Sequence, residues 1–238
     1  MAAKLFQARL IETIKRTATV ASFRFALKER IDFIPGQFLQ VILNADNQGN
    51  KELNKHLSFS CAPGNDYIEV TKRLSESLFS QRLKGLRAED TVYLRAPLGS
   101  CVFKDDYKKI AFLIGGIGIT PVISILEYIV NKKLNTDACL VYSNRNEEEI
   151  AFRKELDALA ALDKNINIKY VVTECQPKDR VCIFGRIDQD LIKKNVCDIT
   201  QRTVFIFGPP KMVEAMQTLC LEIGCKEGDI KTENFLGY

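Results

Sequence analysis

A glycine-rich segment at residues 114–121 reads Ile-Gly-Gly-Ile-Gly-Ile-Thr-Pro and lies between an apolar run and a helical pattern. Glycines let the backbone approach a phosphate closely, and a helix N-terminus supplies unpaired N–H groups and a positive dipole end. Thr120 is predicted as the N-cap, with Pro121 in the first helical turn. The segment predicts a nucleotide-binding turn, and a tight turn that needs glycine only for steric reasons is the alternative.

A second turn, Phe-Gly-Pro-Pro-Lys-Met at residues 207–212, also follows an apolar strand pattern and precedes a helical one. Ligands of doubly wound sheets bind at the carboxyl ends of the strands. Both turns are therefore expected at one edge of a sheet. Gly-Pro-Pro alone signals only a turn, but the pair of turns predicts a ligand site.

A third segment, Lys-His-Leu-Ser-Phe-Ser at residues 55–60, combines cations and hydroxyl groups along a predicted strand. Such groups can hold a phosphate and form hydrogen bonds with the edge of a heterocycle. The alternative is a half-exposed strand with one polar face, in which His56 has no role.

The composition excludes several other kinds of site. The chain has one histidine and eight cysteines without Cys-x-x-Cys spacing, which argues against metal centres and iron–sulfur clusters. A net charge of +4 without long basic runs argues against a nucleic-acid partner. The uncharged stretch 110–126 is short and interrupted by glycines and a proline, which argues against a membrane span. No signal peptide is recognised, so reduced thiols and a cytoplasmic location are expected.

The first hundred residues predict short strands separated by turns, which is typical of an antiparallel sandwich or barrel. The predicted strands are residues 6–14, 21–27, 38–43, 57–60, 67–72 and 91–95, with a helix at 77–83.

A charged run at residues 104–109 precedes a different pattern, in which strands and helices alternate. The predicted strands are 110–114, 138–142, 166–173 and 204–207, and the predicted helices are 121–132, 147–162, 189–194 and 210–223. Repeated βα units favour a parallel, doubly wound sheet. We therefore predict two domains, at residues 1–104 and 105–238.

The order and spacing of these motifs resemble the ferredoxin–NADP⁺ reductase superfamily over nearly the whole chain. Residues 115–121 match its Gly-Gly-x-Gly-x-Thr-Pro motif and residues 208–212 match Gly-Pro-Pro-x-Met. Residues 35–38, 55–58 and 94–99 resemble its Pro-Gly-Gln-Phe, Arg-x-Tyr-Ser and Gly-Pro-x-Gly segments. The resemblance implies an N-terminal antiparallel β-barrel that binds FAD, or alternatively FMN, followed by an α/β domain that binds NADH or NADPH.

Carried over residue by residue, the resemblance assigns Ser58 to flavin N5 as a catalytic group and Glu233 as an acidic group beside the flavin. It implies flavin contacts for Lys55, His56, Leu57, Ser58, Val70, Lys72, Ser77, Ser80, Phe235 and Tyr238. It implies nicotinamide-nucleotide contacts for Gly115, Gly116, Gly118, Thr120, Ser143, Asn144, Arg145, Gly208, Pro209 and Met212.

The chain departs from the family at four of its positions. Lys55 replaces an arginine, which keeps the charge and loses the bidentate fork. Ser77 replaces a glycine and Leu57 an aromatic residue, which implies looser flavin binding. Phe207 replaces a cysteine that many members place beside the nicotinamide.

The resemblance predicts a reductase that passes a hydride from NAD(P)H to the flavin and then electrons to an acceptor, such as a ferredoxin, a flavodoxin or a small molecule. Arg145 favours NADPH, whereas Glu174 favours NADH, and we expect NADH. Two alternatives remain: a reductase that uses free flavin as its substrate, and a non-catalytic electron-transfer subunit of a larger complex.

Overall fold

The computed structural model describes residues 2–235 of the 238-residue chain. Those residues divide into two compact units, which are described separately. Unit 1 takes the residues up to 103 together with 120–128, and unit 2 takes 104–119 and the residues from 129 onward.

Unit 1 is a six-stranded antiparallel sheet in the order β4-β3-β6-β1-β2-β5, closed by a bridge between Phe59 and Val70. This closed sheet confirms the predicted antiparallel barrel. Its elements are β1 (Lys4–Lys15), β2 (Val20–Leu27), β3 (Phe38–Ile42), β4 (Asn54–Ser58), β5 (Ile68–Arg73), α1 (Leu78–Lys84) and β6 (Thr91–Leu98).

The barrel core follows from the period-two alternation of its strands. Phe23 and Phe25 of β2 are buried inside with Val70 of β5, and Phe79 and Leu83 of α1 pack against the same cluster. Amphipathic α1 therefore completes the core that the strands leave open.

Arg24 of β2, Glu69 of β5 and Arg16, which follows β1, form a largely buried polar cluster. Arg16 pairs with Glu69 at 3.1 Å, and Arg24 Nε donates to the same carboxylate at 2.8 Å. Glu127, in the part of the chain at 120–128, accepts a hydrogen bond from the Ala62 N–H at 2.9 Å. Burial raises the pKa of Glu127 to about 7.

Unit 2 is a six-stranded parallel sheet in the order β10-β9-β8-β7-β11-β12, which confirms the predicted doubly wound α/β fold. Its strands are β7 (Lys109–Gly115), β8 (Asp137–Asn144), β9 (Ile166–Val172), β10 (Cys182–Phe184), β11 (Thr203–Gly208) and β12 (Ile230–Asn234). The helices are α2 (Ile119–Lys132), which runs across both units, α3 (Arg153–Leu162), α4 (Gln189–Asn195) and α5 (Pro210–Ile223). The strand order reverses between β7 and β11, which is the topological switch point.

Arg202 ties together the amino-terminal edge of this sheet. Its guanidinium binds both carboxylate oxygens of Asp137 at 2.9 Å, the Asp198 carboxylate at 2.5 Å and the carbonyl of Ile110 at 3.1 Å. Since these residues lie at or just before the starts of β7, β8 and β11, a single buried cation stabilises that edge.

Two expectations about the elements were wrong. The single helix predicted at 147–162 is a short 3-10 turn, Glu147–Glu149, followed by α3 from Arg153. Between them Phe152 adopts a left-handed φ of 61° while its side chain is buried, so burial of this segment overrides helix continuity. Strands β10 and β12 were not predicted, because β10 has three residues and β12 is a polar edge strand.

Candidate functional site

The glycine-rich segment forms the turn that leaves β7 at the switch point, as a 3-10 turn over Gly116–Gly118. A side chain at Gly118 would overlap the carbonyl of Phe207, and one at Gly115 would overlap the sulfur of Met212. Glycine at 118 is therefore required for the turn to pack against the end of β11, whereas the Met212 sulfur beside Gly115 is the flexible end of a side chain on α5.

Thr120 does not cap α2, which corrects the prediction from its sequence position. The helix begins at Ile119, its N-cap is Gly118, and no side chain accepts a hydrogen bond at that cap. Thr120 is instead the second helical residue and is buried. The 3-10 turn displaces the helix start toward the glycines, an effect that residue preferences at caps do not reveal.

The second turn lies beside the first, as its sequence predicts. A Cβ at Gly208 would come within 3.3 Å of the Gly115 backbone nitrogen. Pro209 is the N-cap of α5, and its carbonyl accepts a hydrogen bond from the Met212 N–H at 2.9 Å. The carboxyl ends of β7 and β11 thus form one glycine-lined edge.

The carboxyl end of β8 adds Ser143, Asn144 and Arg145 to this edge, with Ser143 paired in register with Gly115. Asn144 is 6% exposed, and neither its side-chain oxygen nor its side-chain nitrogen has a hydrogen-bond partner. A buried amide without partners is costly, unless a ligand supplies them. Asn144 is therefore the strongest sign in unit 2 of a polar ligand.

Exposed Arg145 faces Glu174, which follows β9, with 3.6 Å between the guanidinium and the carboxylate. The two residues are also joined through the main chain, because the Glu174 N–H donates to the Arg145 carbonyl at 2.9 Å. The cation predicted to favour a 2′-phosphate thus has an acidic neighbour.

Strand β12 places Glu233 beside Phe207, its register partner on β11. One carboxylate oxygen of Glu233 is buried without a hydrogen-bond partner, and burial raises the pKa of this group to about 7. The Phe235 N–H donates to the Gly208 carbonyl at 3.0 Å. Tyr238 lies outside the described residues.

Phe207, at the end of β11, is fully buried, and its ring packs at 5.8 Å from that of Phe205. The residue in the family's cysteine position is thus part of the packing of the sheet, with no surface exposed in this conformation.

In unit 1, the third motif lies on β4. Leu57 packs partly on the barrel core, and Ser58 is buried. His56 makes an edge contact with Phe38 at 5.5 Å, and burial together with the charge of Arg95 lowers its pKa. Val70 is fully buried, so its side chain packs in the core.

Two lysines lie close together on β4 and β5, and three serines cluster at the start of α1. Burial, and then the charge of Lys55, lower the pKa of Lys72. The hydroxyl oxygens of Ser77 and Ser80 lie 3.0 Å apart, and both lie within 3.3 Å of the Ser75 hydroxyl. Neighbouring cations and clustered hydroxyl groups are each suited to a phosphate, because an anion relieves the repulsion between the lysines and accepts hydrogen bonds from the hydroxyl groups.

Ser75 was missed by the sequence reasoning, although the Ser-x-Ser spacing with Ser77 is a signal that could have found it. The contacts around residues 173–181 were also missed, since they join side chains that are far apart in the sequence.

Across residues 2–235, no helix has both the length and the apolar run that a membrane span needs. Within the same range, histidine, cysteine and acidic side chains form no group of three or more that could hold a metal ion.

Two family models match the chain in succession. Residues 7–103 match the oxidoreductase FAD-binding domain, and residues 112–218 match the oxidoreductase NAD-binding domain.

The chain also matches parts of longer proteins at moderate identity. It is 28% identical over 223 residues to NADH-cytochrome b5 reductase 1 of Ajellomyces capsulatus, covering 89% of this chain and 72% of that protein. It is 28% identical over 209 residues to the flavohemoprotein of Bacillus subtilis, covering 86% of this chain and 52% of that protein.

Solved structures share the fold. The cytochrome b5 reductase domain of Ulva prolifera nitrate reductase aligns with a TM-score of 0.82 at 22% identity, covering 98% of this chain and 97% of that one. A ferredoxin NADP⁺ reductase from Neisseria gonorrhoeae, with bound FAD and NADP, aligns with a TM-score of 0.81 at 21% identity, covering 97% and 98%.

Proposed function

The chain belongs to the ferredoxin–NADP⁺ reductase superfamily of NAD(P)H-dependent flavoprotein oxidoreductases, and on this basis we propose that it oxidises NADH and delivers the electrons to a separate acceptor. Bound FAD supplies the chemistry that protein side chains lack, namely acceptance of a hydride and release of single electrons. The protein contributes binding, orientation and electrostatics.

The observation that carries this proposal is the convergence of Gly115, Gly118 and Gly208 at the switch point, beside the unpartnered amide of Asn144. A phosphate fits the glycine turns, and a polar group of the ligand satisfies the amide. Gly116, Ser143, Pro209, Met212 and Thr120 complete this proposed nucleotide site.

The proposed flavin site combines Lys55 and Lys72 with Ser77 and Ser80, which hold phosphate groups of FAD. Leu57 covers a face of the ring system, Ser58 donates a hydrogen bond to it, and His56 and Val70 support the strands beneath. We keep residues 105–238 as the nucleotide domain and residues 1–104 as the flavin domain.

We assign NADH as the preferred donor because Glu174 offsets the positive charge of Arg145. A carboxylate accepts hydrogen bonds from a ribose diol and repels a 2′-phosphate.

For the electron acceptor we propose a one-electron carrier. The relatives named as cytochrome b5 reductases and as flavohemoprotein support a haem protein, and ferredoxin, flavodoxin or a small molecule are the other candidates.

The test is anaerobic mixing of the FAD-loaded protein with NADH or NADPH in a stopped-flow spectrometer. We expect NADH to bleach the flavin absorbance in milliseconds to seconds, and NADPH to do so at least tenfold more slowly. Absence of bleaching by either nucleotide would support the non-catalytic electron-transfer subunit instead. A screen of cytochrome b5, ferredoxin, flavodoxin and ferric chelates then identifies the acceptor.

A second candidate is a reductase that uses free flavin as its substrate. The observation that favours it is Lys55, whose ammonium group cannot form the bidentate phosphate contact of arginine. Gel filtration distinguishes the two functions, because a bound cofactor elutes with the protein, whereas a weakly bound flavin substrate elutes later, as a free small molecule.

A further inference from the structure

The segment 173–181, between β9 and β10, carries Glu174 and is fastened to the rest of unit 2 at both of its ends. At its start, the main-chain N–H of Thr173 donates to the carbonyls of Asn144 and Arg145 at 3.1 Å. These bonds tie the residue before Glu174 to the end of β8.

The second attachment is at Asp179, near the end of the segment. Arg153 Nη2 donates to one carboxylate oxygen of Asp179 at 2.8 Å, and the Val181 N–H donates to the other at 2.9 Å. The Asp179 N–H donates to the carboxylate of Glu147 at 2.8 Å. Asp179 is thus held by its main chain and its side chain together.

Arg153 itself is held rigidly. Its guanidinium lies 3.9 Å from the centre of the Tyr170 ring and donates to Asp157 at 2.9 Å. The Tyr170 hydroxyl donates to the other oxygen of Asp157 at 2.8 Å, and Tyr170 is buried in β9. An arginine that is stacked on an aromatic ring and already bonded to Asp157 is preorganised, so little side-chain entropy is lost when it holds Asp179.

We propose that Arg153 is a positioning residue for coenzyme selection: through Asp179 it fixes segment 173–181, and thereby holds the Glu174 carboxylate in place against Arg145. The inference rests on the proposed role of Glu174 in favouring NADH. Arg153 itself does not contact the coenzyme. Its contribution is to keep the acidic residue from moving away when a 2′-phosphate approaches.

The first test is limited proteolysis, which needs no activity. The segment contains two trypsin sites, Lys178 and Arg180, and cleavage of a folded protein reports how often a segment opens. We expect Arg153→Gln to raise the initial cleavage rate at these sites about tenfold, measured by mass spectrometry. Arg153→Lys should restore part of the protection, and exposed Lys154→Gln serves as the matched control. Equal cleavage in Arg153→Gln and in the wild type would overturn the proposal.

The second test measures kcat and KM for NADH and NADPH. We expect Arg153→Gln to lower the NADH preference several-fold through KM, with kcat for NADH unchanged, and to have no such effect in a Glu174→Gln background. A general structural defect would lower kcat with both coenzymes and in both backgrounds, and would contradict the positioning role.

The roles of Glu174 and Arg153 are separated by comparing the two variants. If Glu174→Gln leaves the coenzyme preference unchanged, the proposed role of Glu174 is wrong. If Glu174→Gln removes the preference and Arg153→Gln does not alter it, only the inference about Arg153 is wrong.

Discussion

At the scale of single residues, Glu233 combines a buried, unpartnered carboxylate oxygen with a pKa raised to about 7. Such a group is protonated at neutral pH far more often than an ordinary glutamate, so its charge changes near neutral pH.

We predict that flavin reduction in the wild type slows as the pH rises through about 7, where Glu233 loses its proton. Glu233→Gln should remove this inflection and keep the pH 6 rate at higher pH, because hydride transfer to FAD needs no proton and yields an anionic reduced flavin, whose formation an ionised carboxylate disfavours. Stopped-flow rates between pH 5.5 and 8.5 provide the measurement. An unchanged pH profile in the variant would show that ionisation of Glu233 does not control flavin reduction.

Lys72 provides a test of the proposed flavin site. Removing a charged partner of a phosphate costs about 1.5–3 kcal/mol, so Lys72→Met should weaken FAD binding about 10- to 100-fold. Quenching of flavin fluorescence gives the dissociation constant, and exposed Lys51→Met is the matched control. If both variants bind FAD like the wild type, the phosphate lies elsewhere.

Residue types allowed some of these positions to be predicted better than others. Gly118 was predictable because only glycine fits its close approach to the Phe207 backbone, so residue type and geometry coincide. Arg153 and Asp179 were not, because their functional relation depends on a contact between residues 26 positions apart.

At the scale of elements, the turn from β7 into α2 depends on its contact with the end of β11. Gly118→Ala should destabilise the protein by about 1–3 kcal/mol and abolish NADH binding, because the new methyl group overlaps the Phe207 carbonyl. Gly228→Ala is the control, since nothing lies within 4 Å of its added Cβ. Chemical denaturation measures the loss of stability, and coenzyme titration measures the loss of NADH binding. A Gly118→Ala variant with the stability and NADH affinity of the wild type would refute the close approach to the Phe207 carbonyl.

The elements with strong periodicity were predictable, and the others were not. Strands β7 and β11 are uninterrupted apolar runs, and α5 carries an apolar stripe, so local sequence is sufficient for them. The start of α3 is set by tertiary packing, because the buried left-handed Phe152 interrupts a sequence that favours helix locally.

At the scale of the whole molecule, the sequence predicted both architectures, because an alternating β pattern and a repeated βα pattern each permit few folds. The strand order within each sheet was not predictable in the same way, since it depends on pairings between distant segments.

The pH dependence of the unfolding free energy should reveal the ionisation of the buried Glu127 carboxyl. The pKa of this carboxyl in the folded protein, about 7, lies above its ordinary value of 4.5. Between these two pH values, the folded state therefore binds more protons than the unfolded state. The contribution of the Glu127 carboxyl to the unfolding free energy is fully present below about pH 4.5 and is lost as the pH rises through 7. We predict that Glu127→Gln removes about 2 kcal/mol of the decrease in unfolding free energy between pH 5 and 8.

Urea denaturation at several pH values measures this effect, with exposed Glu148→Gln as the control. Parallel pH curves for Glu127→Gln and the wild type would show that this carboxyl is ionised throughout the range.

The buried Arg202 has a consequence for how this protein can change over time. It stabilises the amino-terminal edge of the parallel sheet, whereas the glycine turns and Asn144 lie at the carboxyl-terminal edge. Substitutions that strengthen the first edge can therefore compensate for destabilising changes at the second without touching a ligand. Coenzyme and acceptor specificity can thus diverge while the scaffold stays above its stability threshold.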